Sequence, residues 1–370
     1  VKLELVELRR VEMPFVSPFQ TSFGTQSGRD VLLVRVNGPD VEGWGECVAL
    51  GEPLYSSEYV EGAAQVLRLH LLPRLFALAE PRAHLVEAAL SAVRGHRMAK
   101  AAVEMAILDA ELRLAGLSFA DHLGAVRDSV PCGVSVGITS SVPALLDAVG
   151  GYLDQGYLRI KLKIQPGWDV EPVGAVRKRF GNDVLLQVDA NAAYSRADAQ
   201  LLSRLDEFGL LLLEQPLPKE DIAGHAALAS ELRTPICLDE SITSAATAAQ
   251  AIALGACSVV NVKAGRVGGY LEARRVHDVC AAHGVPVWCG GMLETGLGRA
   301  ANLALAALPN FTLPGDTSAS DRYWSKDLTP PFVMESGHLA VPSGPGLGVS
   351  PEPSVLEEVT TSVEYVPWGR

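Results

Sequence analysis

The sequence predicts an α/β fold, a closed parallel barrel of eight strand–helix units beside an α+β cap. Short apolar runs ending in polar or glycine residues recur eight times along the chain. In five of them a charged residue stands at the end of the run, at 163, 189, 214, 239 and 263, with gaps of 26, 25, 25 and 24 residues. Ala- and Leu-rich stretches with helical periodicity, such as "SRADAQLLSRLDEFG" (195–209) and "TSAATAAQAIALG" (243–255), lie between the runs. Strand then helix at this even spacing is the pattern of a parallel β/α barrel. An open doubly wound sheet would share the alternation, but eight evenly spaced units favour closure.

Residues 1–37 read as two strands, "KLELVELRR" and "DVLLVRV", joined by a polar loop bearing Gly and Phe. Residues 57–79, 82–95 and 97–116 read as helices. The barrel strands follow in order: "CGVSVGI" (132–138), "YLRIKLKI" (157–164), "VLLQVDAN" (184–191), "LLLLEQP" (210–216), "PICLDES" (235–241), "CSVVNVKAG" (257–265), "PVWCGGM" (286–292) and "FTLPGD" (311–316). Beyond 320 the chain is rich in Pro and Gly, with a hairpin expected at "FVMESGHLAVP" (332–342). The expected division is a cap at 1–125, a barrel at 126–320 and a segment at 321–370 that returns to the cap.

With 48% hydrophobic residues in 370, the chain can bury a large core. A net charge of −12 repels nucleic acid and anionic membranes. The six cysteines form no CxxC pair, which points to a reduced, cytoplasmic protein without a zinc knuckle. The first twenty residues interleave charged and apolar side chains, so neither a secretory leader nor a membrane span is expected.

Alternation along a strand assigns faces. If the helix-facing positions are apolar, Lys161 and Lys163 point inward from strand 2. Gln187, Asp189 and Asn191 do so from strand 3, Glu214 from strand 4, Asp239 from strand 5, and Asn261 and Lys263 from strand 6. All lie at or near the C-terminal strand ends, where barrel sites form. Glu240 points the other way and is expected to support its neighbours. Asp189, Glu214 and Asp239 come from adjacent strands, and three converging carboxylates without His or Cys suit Mg²⁺ or Mn²⁺. Strands 2 and 6 are opposite in a ring of eight, so Lys163 and Lys263 face each other across the site. Crowding by the cation and by each other is expected to lower their pKa values. One base on each side of a carboxylate-bearing carbon suits proton removal from one face and return to the other, which is racemisation.

Other readings of these residues remain. A structural ion-pair network would also gather acids and lysines. Lys161 serves either as a charge-balancing neighbour or as a direct substrate contact. "GRVGG" (265–269) and "GLG" (296–298) read as tight turns, since no GxxxxGK[ST] is present. Phe15, Phe19 and Phe23 either pack in the cap or form a lid.

On the K-x-K at 161–163, the Asp189/Glu214/Asp239 set and Lys263, the sequence resembles the enolase superfamily, in its muconate-lactonizing-enzyme subgroup. "GGMLETGLGRAANLALAALPNFTLPGDTSASDRYW" and "SPFQTSFGTQ" are similar to the branch holding N-acylamino acid racemases and o-succinylbenzoate synthases. The resemblance implies a (β/α)7β TIM-like barrel with an α+β capping domain, one Mg²⁺ (or Mn²⁺, Co²⁺) per subunit, a small-molecule carboxylate substrate, and a homo-oligomer between dimer and octamer. It implies that Lys163 and Lys263 exchange the α-proton, that Asp189, Glu214 and Asp239 hold the metal, and that Asn191 and Glu240 support them. By the same resemblance Ser135, Gly291, Met292 and Leu293 line the substrate, with Phe19, Phe23, Leu50, Tyr55 and Asp316 in the lid and pocket wall. Ser318 stands where dipeptide epimerases tend to carry a second Asp, which disfavours a dipeptide substrate. Racemisation of N-acylamino acids, N-succinyl ones included, is the leading expectation, with o-succinylbenzoate synthesis as the alternative. A non-catalytic metal-dependent binding protein is the reading from another class, and it would have no use for Lys263.

Overall fold

A computed structural model describes residues 2–21 and 24–368. The chain opens with three antiparallel strands, β1 (Leu5–Thr21), β2 (Gly24–Asn37) and β3 (Glu42–Cys47). Alternating Val6, Leu8, Val11 and Met13 of β1 are buried, each such side chain contributing about 1.5–3 kcal/mol. Glycines set how closely β3 approaches the helix Arg97–Ala115. A Cβ on Gly43 would lie 2.1 Å from the Ala106 carbonyl oxygen, and one on Gly45 would lie 2.0 Å from that of Ala102. Two glycines two apart on the strand thus face two alanines one helical turn apart. The segment expected as a loop between the first two strands instead extends them into a long hairpin, with the pairing interrupted between Pro14 and Phe19.

A short β4 (Ser129–Pro131) precedes the barrel strands β5 (Gly133–Val136), β6 (Arg159–Lys163), β7 (Leu185–Asp189), β8 (Leu213–Glu214), β9 (Ile236–Leu238), β10 (Val259–Val262) and β11 (Val287–Cys289). These seven pair in chain order, all parallel. Their helices begin soon after each strand, as where Ser141 and Ser244 cap the N–H groups of Ala144 and Thr247. The expected eighth strand is not regular. Residues 311–316 bridge the two edges by single contacts, Val287 with Phe311 and Cys132 with Gly315. Pro314 has no N–H for a ladder there, and its carbonyl instead accepts from Nε and Nη2 of Arg159, at 3.2 and 2.9 Å.

The expected hairpin at 332–342 is also revised. His338 and Glu335 close a tight turn, but β12 (His338–Ala340) pairs with β4. The tail then returns to the cap, where β13 (Thr360–Pro367) pairs antiparallel with β1, giving the order β13-β1-β2-β3. Among the described residues no helix is long and apolar enough to cross a membrane.

Candidate active site

Arg159, Lys161 and Lys163 alternate along β6 and are all buried. A row of three cations inside a barrel is tolerable only where acids face it, and the structure supplies them. Lys161 Nζ lies 2.6 Å from Asp316 Oδ2, 3.1 Å from Glu214 Oε2 and 3.4 Å from Asp189 Oδ2. Arg159 Nη2 donates to Asp316 Oδ1 at 2.9 Å. The indole of Trp288, fully buried, lies under both cations, 5.2 Å from the Arg159 guanidinium and 4.7 Å from Lys161 Nζ. Lys163 Nζ donates to Asp189 Oδ2 at 2.5 Å and Asn191 Oδ1 at 2.8 Å. On the other side of the barrel, Lys263 Nζ donates to Asp239 Oδ2 at 2.8 Å and sits 4.7 Å from the Tyr55 ring centre. Asp239 also accepts from Arg266 Nη1 and from the Tyr55 hydroxyl.

Four non-glycine residues just beyond strand ends hold positive φ: Asn191 at 42°, Ala192 at 60°, Gln215 at 37° and Leu293 at 60°. Such backbone costs about 1–3 kcal/mol each and gathers at functional sites. Here it aims the Asn191 side chain at both Lys163 and Glu240, the latter at 3.1 Å. Two glycines leave room on the opposite wall. A Cβ on Gly290 would lie 2.1 Å from Asn261 Oδ1, and one on Gly291 would lie 3.0 Å from the Asp316 carbonyl.

Lys161, Lys163, Lys263, Asn191, Ser135, Gly291, Met292, Leu293, Phe19, Leu50, Tyr55 and Asp316 line one cavity. Phe23 lies outside the described residues. Asp189, Glu214, Asp239 and Glu240 lie just behind these side chains, buried or nearly so. Asp316 does not present a free carboxylate to the cavity, because Arg159 and Lys161 hold both of its oxygens. Thr21, Gln26, Glu294, Arg299 and Tyr323 also line the cavity and were not expected from the sequence. Arg159 was also missed, although it shares the period-two face of Lys161 and Lys163, and that alternation would have found it. Arg266 left no such signal, because it reaches Asp239 only through the single helical turn Ala264–Val267.

In the protein alone, crowding does not lower the pKa of Lys161 or Lys263. Burial pulls the Lys161 ammonium down, but Asp316, Glu214 and Asp189 outweigh it and carry it above the ordinary lysine range. Burial likewise pulls Lys263 down, and Tyr55, Glu240, Glu214 and Asp189 more than reverse it. Burial pushes Asp189 up, while Lys163 and Lys161 bring it down to about 2. Glu214 is raised by burial and by the charge of Asp189.

Among the described residues, no three His, Cys, Asp or Glu side chains stand close enough to clasp a metal. Each of the three expected carboxylates instead engages a lysine. The donor chemistry nonetheless fits a hard divalent cation. Every candidate ligand is a carboxylate at the end of one of three adjacent strands, and Glu240 Oε2 is buried without a donor.

Comparison with known proteins places this geometry. Residues 5–124 match the mandelate racemase / muconate lactonizing enzyme N-terminal domain family, and residues 144–355 match the enolase C-terminal domain-like family. The chain belongs to the enolase superfamily, in its mandelate racemase/muconate lactonizing enzyme subgroup. This superfamily chain is 68% identical over 366 residues to an N-succinylamino acid racemase of Amycolatopsis sp, covering 99% of the chain and 100% of that protein. It is 47% identical to an o-succinylbenzoate synthase of Geobacillus kaustophilus, over 97% of the chain and 96% of that protein. A crystal structure of an enolase-superfamily member from Listeria innocua superposes with a TM-score of 0.95 at 40% identity, covering 99% of each chain. Membership in this superfamily implies use of a divalent metal.

Proposed function

We propose that the chain is a divalent-metal-dependent racemase of N-acylamino acids, N-succinyl derivatives foremost, working by proton transfer between two lysines. The observation that carries this reading is the pair of amines Lys163 Nζ and Lys263 Nζ. They line one cavity from β6 and the end of β10, strands four apart in the ring, and each is held by its own carboxylate. A substrate whose α-carbon lies between them offers its C–H to one amine and its opposite face to the other. Lys163 Nζ takes or returns the proton on one face and Lys263 Nζ on the other. Asn191 Oδ1 and Asp189 fix the position of the first, and Asp239 that of the second. Asp189, Glu214 and Asp239 would hold the metal. When bound, it supplies positive charge that stabilises the carbanionic intermediate of a carboxylate substrate and competes with the lysines for these acids.

Phe19, Leu50, Met292, Leu293 and Tyr323 make the wall apolar, which suits an acyl arm and a hydrophobic side chain and keeps water from the carbanion. The 68% identity to a protein named an N-succinylamino acid racemase supports this substrate class. o-Succinylbenzoate synthesis is the second reading, favoured by the 47% identity to a synthase. It would use one lysine as base and expel a hydroxyl in place of the second proton transfer. Incubation with one enantiomer of N-succinylmethionine and Mg²⁺ tests the first reading through decay of optical rotation to zero. Unchanged rotation would refute it, and dehydration of the cyclohexadiene substrate with the higher kcat/KM would favour the second.

A further inference from the structure

We propose that Arg322 is the positioning residue that holds the β1 segment carrying Phe19 closed over the cavity. The inference rests on reading that cavity as the substrate site.

Arg322 ends a single 3-10 turn, Ser320–Arg322, in the returning tail. Its guanidinium lies 5.8 Å from the ring centre of Phe19, 5.0 Å from that of Tyr152 and 4.8 Å from that of Tyr323. Each ring comes from a different part of the fold. Phe19 belongs to β1 of the cap, Tyr152 to the first barrel helix Val142–Asp154, and Tyr323 to the tail. Nη2 donates to the Ser135 carbonyl at 3.1 Å, on β5. Nε is buried without a partner. Among the described residues no carboxylate lies within ion-pair distance of Arg322, so three aromatic faces and one carbonyl hold this cation.

Phe19, Ser135 and Tyr323 all line the cavity. Arg322 therefore ties three of its walls together from outside. Pairing of β1 with β2 is interrupted between Pro14 and Phe19 and resumes at Phe19–Gln26, Gln20–Thr25 and Thr21–Gly24. The unpaired stretch Val16, Ser17 and Pro18 is exposed. Besides the pairing with β2, the anchors among the described residues include Val16 N–H to the Tyr323 carbonyl at 2.9 Å, Ile138 N–H to the Gln20 carbonyl at 3.2 Å, and Phe15 against Tyr323 and Trp324. Gly137 admits the second contact, since a Cβ there would come 2.6 Å from the Gln20 oxygen. Two of these anchors end on Tyr323, the ring nearest to Arg322. The cation thus sets both the ring that Phe19 meets and the carbonyl that Val16 meets. If only the closed segment completes the cavity, the closed fraction scales the apparent affinity.

The test uses Arg322→Met, which keeps the side-chain volume without the charge, and Arg322→Lys, which keeps the charge. Hydrogen exchange is followed in the free protein, independently of any substrate. In Arg322→Met the amides of Val16 and Ile138 exchange about tenfold faster, while those of the helix Arg97–Ala115 keep the parental rate. In Arg322→Lys both amides recover part of their protection. With N-succinylmethionine, kcat/KM of Arg322→Met falls about tenfold, carried by KM more than by kcat. Unchanged exchange at Val16 and Ile138, or equal acceleration across cap and barrel, would overturn the proposal. So would a loss confined to kcat. If the parent chain turns over no N-acylamino acid, the functional reading fails, and the exchange rates still decide the role of Arg322.

Discussion

Glu104 is a buried carboxyl at the junction of cap and barrel. It lies on the cap helix Arg97–Ala115 and accepts from the N–H of Leu271, at 3.1 Å, in the first turn of the barrel helix Tyr270–Ala282. Gly269 makes room for it, since a Cβ there would lie 2.2 Å from Glu104 Oε1. Burial pushes this carboxyl up to about 8 from an ordinary 4.5, against the pull of the Leu271 and Tyr270 amides. The folded state therefore keeps a proton that the unfolded chain releases. Its contribution to stability is complete below the ordinary value and is lost as pH rises through about 8. The difference, 8 − 4.5 = 3.5, corresponds to about 5 kcal/mol as an upper bound. In Glu104→Gln the amide oxygen can accept the same N–H and carries no titrating proton. Urea unfolding at about pH 5.5 and about pH 8.5 checks this. Over that range the parent is expected to lose about 3 kcal/mol more than Glu104→Gln. Glu46, raised to about 7 by burial and by Glu294, leaves a shared slope in both proteins. Identical pH dependence of the two would refute the reasoning.

Gly45→Ala drives a methyl into the Ala102 carbonyl and is expected to lower stability by about 3 kcal/mol in the same assay. Dialysis against EDTA is expected to abolish turnover. Mg²⁺ at about a hundred times its Kd should then stabilise the parent by about 2.7 kcal/mol in thermal unfolding, and Glu214→Gln should lose most of that gain.

The barrel was legible because its function repeats with its structure. A charged residue closes five of the strand runs, so the spacing from 163 to 263 exposed both the β/α unit and the residues facing its axis. The lysine pair was legible for the same reason, since only an acid-lined interior tolerates Lys161 and Lys163 on one strand face. What the sequence hid depends on contacts distant in the chain. β3 contains "GWG", and its glycines are explained only by the helix that packs on them. The irregular closure at 311–316 follows from Pro314 and from the buried Arg159 that takes its carbonyl. Periodicity could not show that β12 would pair with β4, a strand some 200 residues earlier. The upward direction at Lys161 and Lys263 in the protein alone was hidden because it depends on which acids and ring surround each ammonium: Asp316, Glu214 and Asp189 around the first, Tyr55, Glu240, Glu214 and Asp189 around the second.

Exchange of the α-proton in D₂O tests the two-base arrangement most directly. The parent chain with Mg²⁺ should incorporate deuterium into both enantiomers of N-succinylmethionine. Lys163→Ala should then exchange one enantiomer only, and Lys263→Ala only the other. Exchange of both enantiomers by either variant, or loss of the same enantiomer in both, would contradict a proton passed between two opposed lysines.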